Sequence, residues 1–138
     1  MSAVLTQPDV MGPDLLELTV LGGLAGCSGG ERYALVEVSS TSPLFRLCSL
    51  DEPGLDFLVV PPGVFFPDYT PTIDDTSAAR LGLTDAEDAL TLVVLTVGAD
   101  LASSTANLMA PIVINARTRR AAQVIVEDTW PLRAPLHR

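Results

Sequence analysis

Leu90-Thr91-Leu92-Val93-Val94-Leu95-Thr96-Val97 is a run of eight residues without a charge, a Gly or a Pro. Each is aliphatic or β-branched, and such side chains pack well on a pleated surface. Near-continuous apolarity marks a strand at the centre of a sheet, covered on both faces. The run falls far short of the ~18–20 apolar residues that a membrane helix requires.

The other periodic segments are also short and also read as strands. Leu16, Leu18 and Val20 alternate with Glu17 and Thr19, the pattern of a half-buried strand. Residues 33–38, 44–50, 57–60, 112–114 and 123–126 complete the set. Turn chemistry separates them. Residues 22–30 hold five glycines. Asp51-Glu52-Pro53-Gly54 joins a Pro that presets its own φ to a Gly free to take φ > 0. Pro61-Pro62-Gly63 ends a strand, because neither Pro can donate to a ladder. One helix is expected over residues 76–81, capped by Asp75 and stopped by Gly82. Thr84-x-x-Glu87 has the form of a capping box and predicts a second short helical turn.

No strand–helix–strand alternation occurs, which argues against a doubly wound parallel sheet. The expectation is an all-β fold of short antiparallel strands with one or two short helices, closed as a barrel or stacked as a sandwich. At 138 residues the chain fits a single domain over residues 1–138. Residues 1–13 and 132–138 read as loose ends.

Composition narrows the function. Residues 1–100 carry 15 carboxylates against 3 Arg, and residues 101–138 carry 2 against 5, giving the net charge of −9. An acidic chain is repelled by nucleic acid unless its cations are concentrated, and Arg117, Arg119 and Arg120 read as a solvated turn. A basic protein partner suits the acidic bulk better. Lys is absent, so no phosphate loop of the G-x-x-x-x-G-K-[ST] type exists. His137 is the sole His, and with Cys27 and Cys48 far apart it does not make a zinc site. Asp74-Asp75 and Glu87-Asp88 read as helix caps rather than cation ligands. No metal, cofactor or small-molecule substrate is expected. The two Cys read as reduced thiols, the N-terminus lacks a basic region ahead of an apolar core, and a cytoplasmic location follows.

One catalytic pattern is present. Gly26-Cys27-Ser28-Gly29-Gly30 fits G-x-S-x-G, with acidic residues and then His137 following in hydrolase order. That motif needs a helix after the Ser, whereas a strand is expected here. A serine hydrolase using Ser28 is therefore a distant alternative, and the chain reads as non-enzymatic.

Contact chemistry is better represented. Phe65-Phe66-Pro67-Asp68-Tyr69 sets aromatic rings in a Pro-framed loop, and Asn107 lies in a second segment, residues 105–115, where short polar and Pro signals surround a buried-strand run. Phe65, Phe66, Asp68, Tyr69 and Asn107 are the candidate partner-binding residues. The same rings can instead plug one end of a barrel, and composition does not choose between these. Asn107 and Asn115 can also serve as amides that tie down turn backbone, the favoured reading for Asn115.

Taken in order, several motifs between residues 16 and 136 resemble the flagellar assembly factor FliW family. They are Ser49-Leu50-Asp51-Glu52-Pro53-Gly54-Leu55-Asp56-Phe57-Leu58-Val59-Val60, Phe66-Pro67-Asp68-Tyr69, Leu81-Gly82-Leu83, Glu87-Asp88-Ala89-Leu90, residues 105–115, Gln123-Val124-Ile125 and Pro131-Leu132-Arg133-Ala134-Pro135-Leu136. The chain departs from the family pattern at Gly23-Leu24-Ala25-Gly26-Cys27, where G-L-P-G-F is usual. It departs again at Arg46 and Cys48, which replace an aromatic residue and a Gln.

The resemblance implies a β-barrel-like fold without catalytic activity. It also implies two partners: flagellin, and CsrA, a small basic RNA-binding dimer that represses flagellin translation. Flagellin would hold the FliW-like protein until export, and the released protein would then relieve CsrA repression. Where the repressor is absent, a flagellin-only chaperone is the alternative. Asp51, Glu52 and Asp56 are the acidic residues expected to weaken RNA binding by the docked repressor.

Overall fold

In the computed structural model, residues 15–24, 30–38, 43–52, 54–84 and 88–136 are described, the side chains of residues 15, 16 and 101 excepted. Their nine strands are β1 (Leu15–Val20), β2 (Arg32–Glu37), β3 (Phe45–Ser49), β4 (Asp56–Val60), β5 (Ala89–Thr96), β6 (Thr105–Ala106), β7 (Ile112–Asn115), β8 (Arg120–Gln123) and β9 (Ala134–Pro135). Seven close into a barrel, in the order β1–β2–β3–β4–β5–β7–β8 and back to β1. Every pairing is antiparallel except the β1–β8 seam, which is parallel and two residue pairs long. Closure leaves the barrel strands without free edges.

β5 is the hub, as its uncharged run predicts. Residues 89–92 pair with β7, Val93 and Val94 pair with β4, and Leu95 and Thr96 pair with β6. Its two faces enter different cores. Leu90 and Leu92 point inward with Leu18, Tyr33, Leu47 and Ile114. Val93 and Leu95 point outward into a second cluster with Val60, Ala106, Leu108 and Leu136. A third cluster, also on the outer wall, packs Leu81 on Val113, Ala122 and Val124. Strands buried on both faces need no polar alternation, so β5 and β7 read as solid apolar runs.

The helix lies one residue earlier than expected at both ends. It spans Asp75–Arg80 (α1), and Asp74 rather than Asp75 is its cap, accepting from Ser77 N at 3.1 Å. Asp75 lies in the first turn, where its charge favours the helix dipole. Gly82 stops the helix at φ +70°, a conformation that L side chains rarely adopt.

Other corrections concern the C-terminal third. β8 spans residues 120–123 instead of 123–126; Val124 and Val126 still donate to the Pro111 and Met109 carbonyls. Residues 134–136 are not a loose end. Ala134 and Pro135 pair with β6, and Leu136 is buried in the outer cluster. Two-residue strands carry too little periodicity to be read in advance, and β6 and β9 both fall in that class. Residues 1–13, Ser28, the Cys27 thiol, Glu87 and His137 lie outside the described residues.

Candidate functional site

Four of the five candidate contact residues come together. After β4, a 3-10 turn at Pro62–Val64 leads into the aromatic loop, held by Phe65 N and Phe66 N donating to the Pro62 carbonyl. Phe65, Phe66, Asp68 and Tyr69 line one pocket of about 290 Å³, with Leu108, Trp130 and Pro135 behind them. Tyr69 and Trp130 meet edge to face at 4.8 Å between centroids, a favourable arrangement for aromatic pairs. The Tyr69 hydroxyl donates to the Leu108 carbonyl. Burial, then the nearby Asp128 charge, pushes the phenol above its ordinary range, so it stays a neutral donor.

The pocket walls are largely apolar. The Trp130 Nε1–H is buried beside Asp128, outside hydrogen-bond geometry. Asp128 instead accepts from Thr72 N at 3.0 Å, which is the main reason its pKa is lowered. Asp68, on the pocket lining, is exposed, and so is Val64, the residue before Phe65, by 51%. The rings do not plug a barrel end: they pack on the outer cluster, against the outward faces of β4 and β5.

Asn107 lies elsewhere. Its Oδ1 accepts from Met109 N and Ala110 N, closing the turn between β6 and β7. It lines a different cavity of about 380 Å³ with Leu24, Phe57, Val94, Gln123 and Arg133. Asn115 follows its expected role as a backbone tie. Its Nδ2 donates to Leu81 O at 2.8 Å, and its Oδ1 accepts from Arg117 N and Thr118 N. Trp130 and Leu108 were missed in the sequence; only the fold carries them across to Tyr69.

The acidic residues near β3 are less free than their spacing implies. Asp51 Oδ2 accepts from Glu31 N and Arg32 N at 3.3 and 3.2 Å, and Oδ1 lies 3.6 Å from Arg32 Nη1. Asp56 pairs with Arg46 at 3.8 Å. Cys48, beside them, has its thiol pKa raised by burial and then by Asp56, which makes it a poor nucleophile. Among the described residues, no three His, Cys, Asp or Glu side chains gather as metal ligands, and no helix is long and apolar enough to cross a membrane.

Comparison with known proteins gives this geometry a family. The FliW protein family model matches residues 5–136. A flagellar assembly factor FliW from Bacillus licheniformis is 40% identical over 107 residues, 78% of this chain and 75% of the relative. That of Bacillus subtilis is 32% identical over 78% of this chain and 75% of its own. A crystal structure of the flagellar assembly factor FliW superposes with a TM-score of 0.76 at 30% identity, covering 92% of this chain and 88% of the other. With a family model spanning nearly all of it and a shared barrel, this chain belongs to the FliW family of flagellar assembly factors.

Proposed function

We propose that this chain regulates flagellum assembly by capturing proteins, with flagellin and a CsrA-type repressor as its partners. The observation that carries this reading is the outer-wall pocket. Phe65, Phe66 and Tyr69 are half-buried around a mostly apolar hollow, with Asp68 exposed on its lining and Val64 exposed one residue before Phe65. An aromatic-lined hollow with a polar rim is the composition of an interface hot spot. Its side chains suit adhesion, and catalysis plays no part in the proposal. Action on a translational repressor places the protein in the cytoplasm.

In the switch, flagellin occupies the protein until export, and the vacated protein then binds the repressor. The net charge of −9 favours a basic repressor and opposes direct RNA contact. A docked acidic body lowers phosphate affinity only within about 8 Å at physiological salt. Charge reversal at Asp51 is a poor test of this, because its carboxylate also holds the start of β2. Glu52→Lys, at an exposed position on the same turn, tests the field with Asp51 left in place.

The test immobilises the purified chain, passes flagellin and the repressor over it separately, and then competes one against the other. Retention of each, with mutual displacement, is the expected result. Asp68→Arg and Val64→Asp should weaken capture at least tenfold with the melting temperature unchanged. Retention of flagellin alone would reduce the function to that of a flagellin chaperone. Retention of neither would end the proposal.

A further inference from the structure

Among the described residues, the cavity that Asn107 lines is a mouth at one end of the barrel. β1, β5 and β8 end there and β4 begins there, as their pairings require. Phe57, Val94 and Gln123 share the inward faces of their strands with Val59, Leu92 and Ala121 of the inner core. Phe57 and Val94 therefore form an apolar floor, walled by Leu24 and Leu132. Exposed Leu132 stands 64% open to solvent at the rim. The volume, about 380 Å³, lies within the usual range for small-molecule sites, and barrel mouths commonly hold them.

Thr96, Asn107, Gln123 and Arg133 add polar groups above that floor, and among the described residues two donors on this lining lack acceptors of their own. The Asn107 Oδ1 is used by Met109 N and Ala110 N, which orients the amide and leaves its Nδ2 hydrogens over. Among the described residues, Nδ2 has no acceptor, and the Arg133 guanidinium has no ion pair. Arg32, Arg46 and Arg117 each sit beside a carboxylate, while Arg80, Arg119 and Arg120, like Arg133, show no ion pair among the described residues. A guanidinium and an amide N–H on a mixed lining, above a floor of Phe57 and Val94, match a carboxylate attached to a short apolar body.

We infer that the barrel mouth binds a small amphipathic carboxylic acid, its carboxylate on Arg133 and Asn107 and its hydrocarbon against Phe57 and Val94. The site is separate from the aromatic pocket and does not rest on the partner-capture proposal. Binding here involves no reaction; the acid is a ligand. Asn107 follows β6 directly and Arg133 precedes β9 directly; Leu108, one residue after Asn107, and Pro135, two after Arg133, line the aromatic pocket.

Titration of the full chain with hexanoate, followed by amide-resolved NMR, tests the assignment. Saturable shifts confined to the mouth are expected, including the Asn107 side-chain amide. Acetate lacks the apolar body and hexanol lacks the charge, so each should bind at least tenfold more weakly. Arg133→Gln should weaken hexanoate at least tenfold. Asn107→Asp keeps the acceptor for Met109 N and Ala110 N while replacing the donor with a negative oxygen, and should weaken it likewise. Both sites are at least partly solvent-exposed, so unchanged melting temperatures are expected. Absence of saturable shifts would overturn the inference, as would equal binding of hexanol or hexanoate binding indifferent to both substitutions.

Discussion

Asn115 shows how much of this fold passes through single polar side chains. It is 3% exposed, and its amide joins the end of α1 to the turn between β7 and β8. Truncation leaves the buried Leu81 carbonyl without its donor, which is costly in low dielectric, and unties two N–H groups of the exposed turn. Asn115→Ala should therefore destabilise the chain by about 2–4 kcal/mol in urea unfolding. Asp74 acts at the other end of the helix. Its hydrogen bonds to Ser77 hold its pKa below the ordinary value of 3.8. The folded value is lower than the unfolded one, so its contribution is complete above pH 3.8 and fades as pH falls through the folded value. The melting-temperature gap between wild type and Asp74→Ala should accordingly stay constant near neutrality and narrow below pH 3.8. Nothing in the sequence distinguished Asp74 from Asp75 as the cap, since either carboxylate can reach a first-turn N–H.

The aromatic loop combines packing with contact. Its rings are half-buried against the outer face of β4 and β5, so their loss removes core as well as contact area. Phe66→Ala should lower both stability and partner retention, the former by about 1–3 kcal/mol. Tyr69→Phe separates the two effects. It keeps the ring against Trp130 and deletes only the hydroxyl donated to Leu108 O, leaving that carbonyl to find another donor. A cost of about 1 kcal/mol by calorimetry is expected, with retention little changed. The loop's composition was legible in the sequence, but the wall it covers was not. Both a barrel plug and an outer patch bury aromatic area, and only the pairing of β4 with β5 selects the outer face.

Across the whole molecule, the barrel closes through a weak join and is braced by its last residues. The β1–β8 seam is two pairs long, whereas β1–β2 is five. β9 ties the C-terminal segment onto β6, and Leu136 fills the outer cluster beside Leu108. Leu136→Ala should cost about 2–4 kcal/mol in denaturant unfolding. Ending the chain at residue 131 should cost more, and should disturb the aromatic pocket through Pro135 and Leu108. A melting temperature unmoved by that truncation would show that β9 contributes little to the fold.

By itself the sequence determined that this is an all-β chain with its centre in β5, and the ordered motifs placed it beside the FliW proteins. Uncharged β-branched runs, Pro stops and glycine turns are local signals, and local chemistry is enough to mark strands and their ends. Only the tertiary structure decided which strands adjoin, that β1 meets β8 in parallel, and that residues 134–136 are a strand and its anchor. It also separated Asn107 from the aromatic loop and set it at the barrel mouth with Arg133. These are long-range facts: strand pairing brings together residues with no periodicity in common, and closure of the barrel defines what counts as inside.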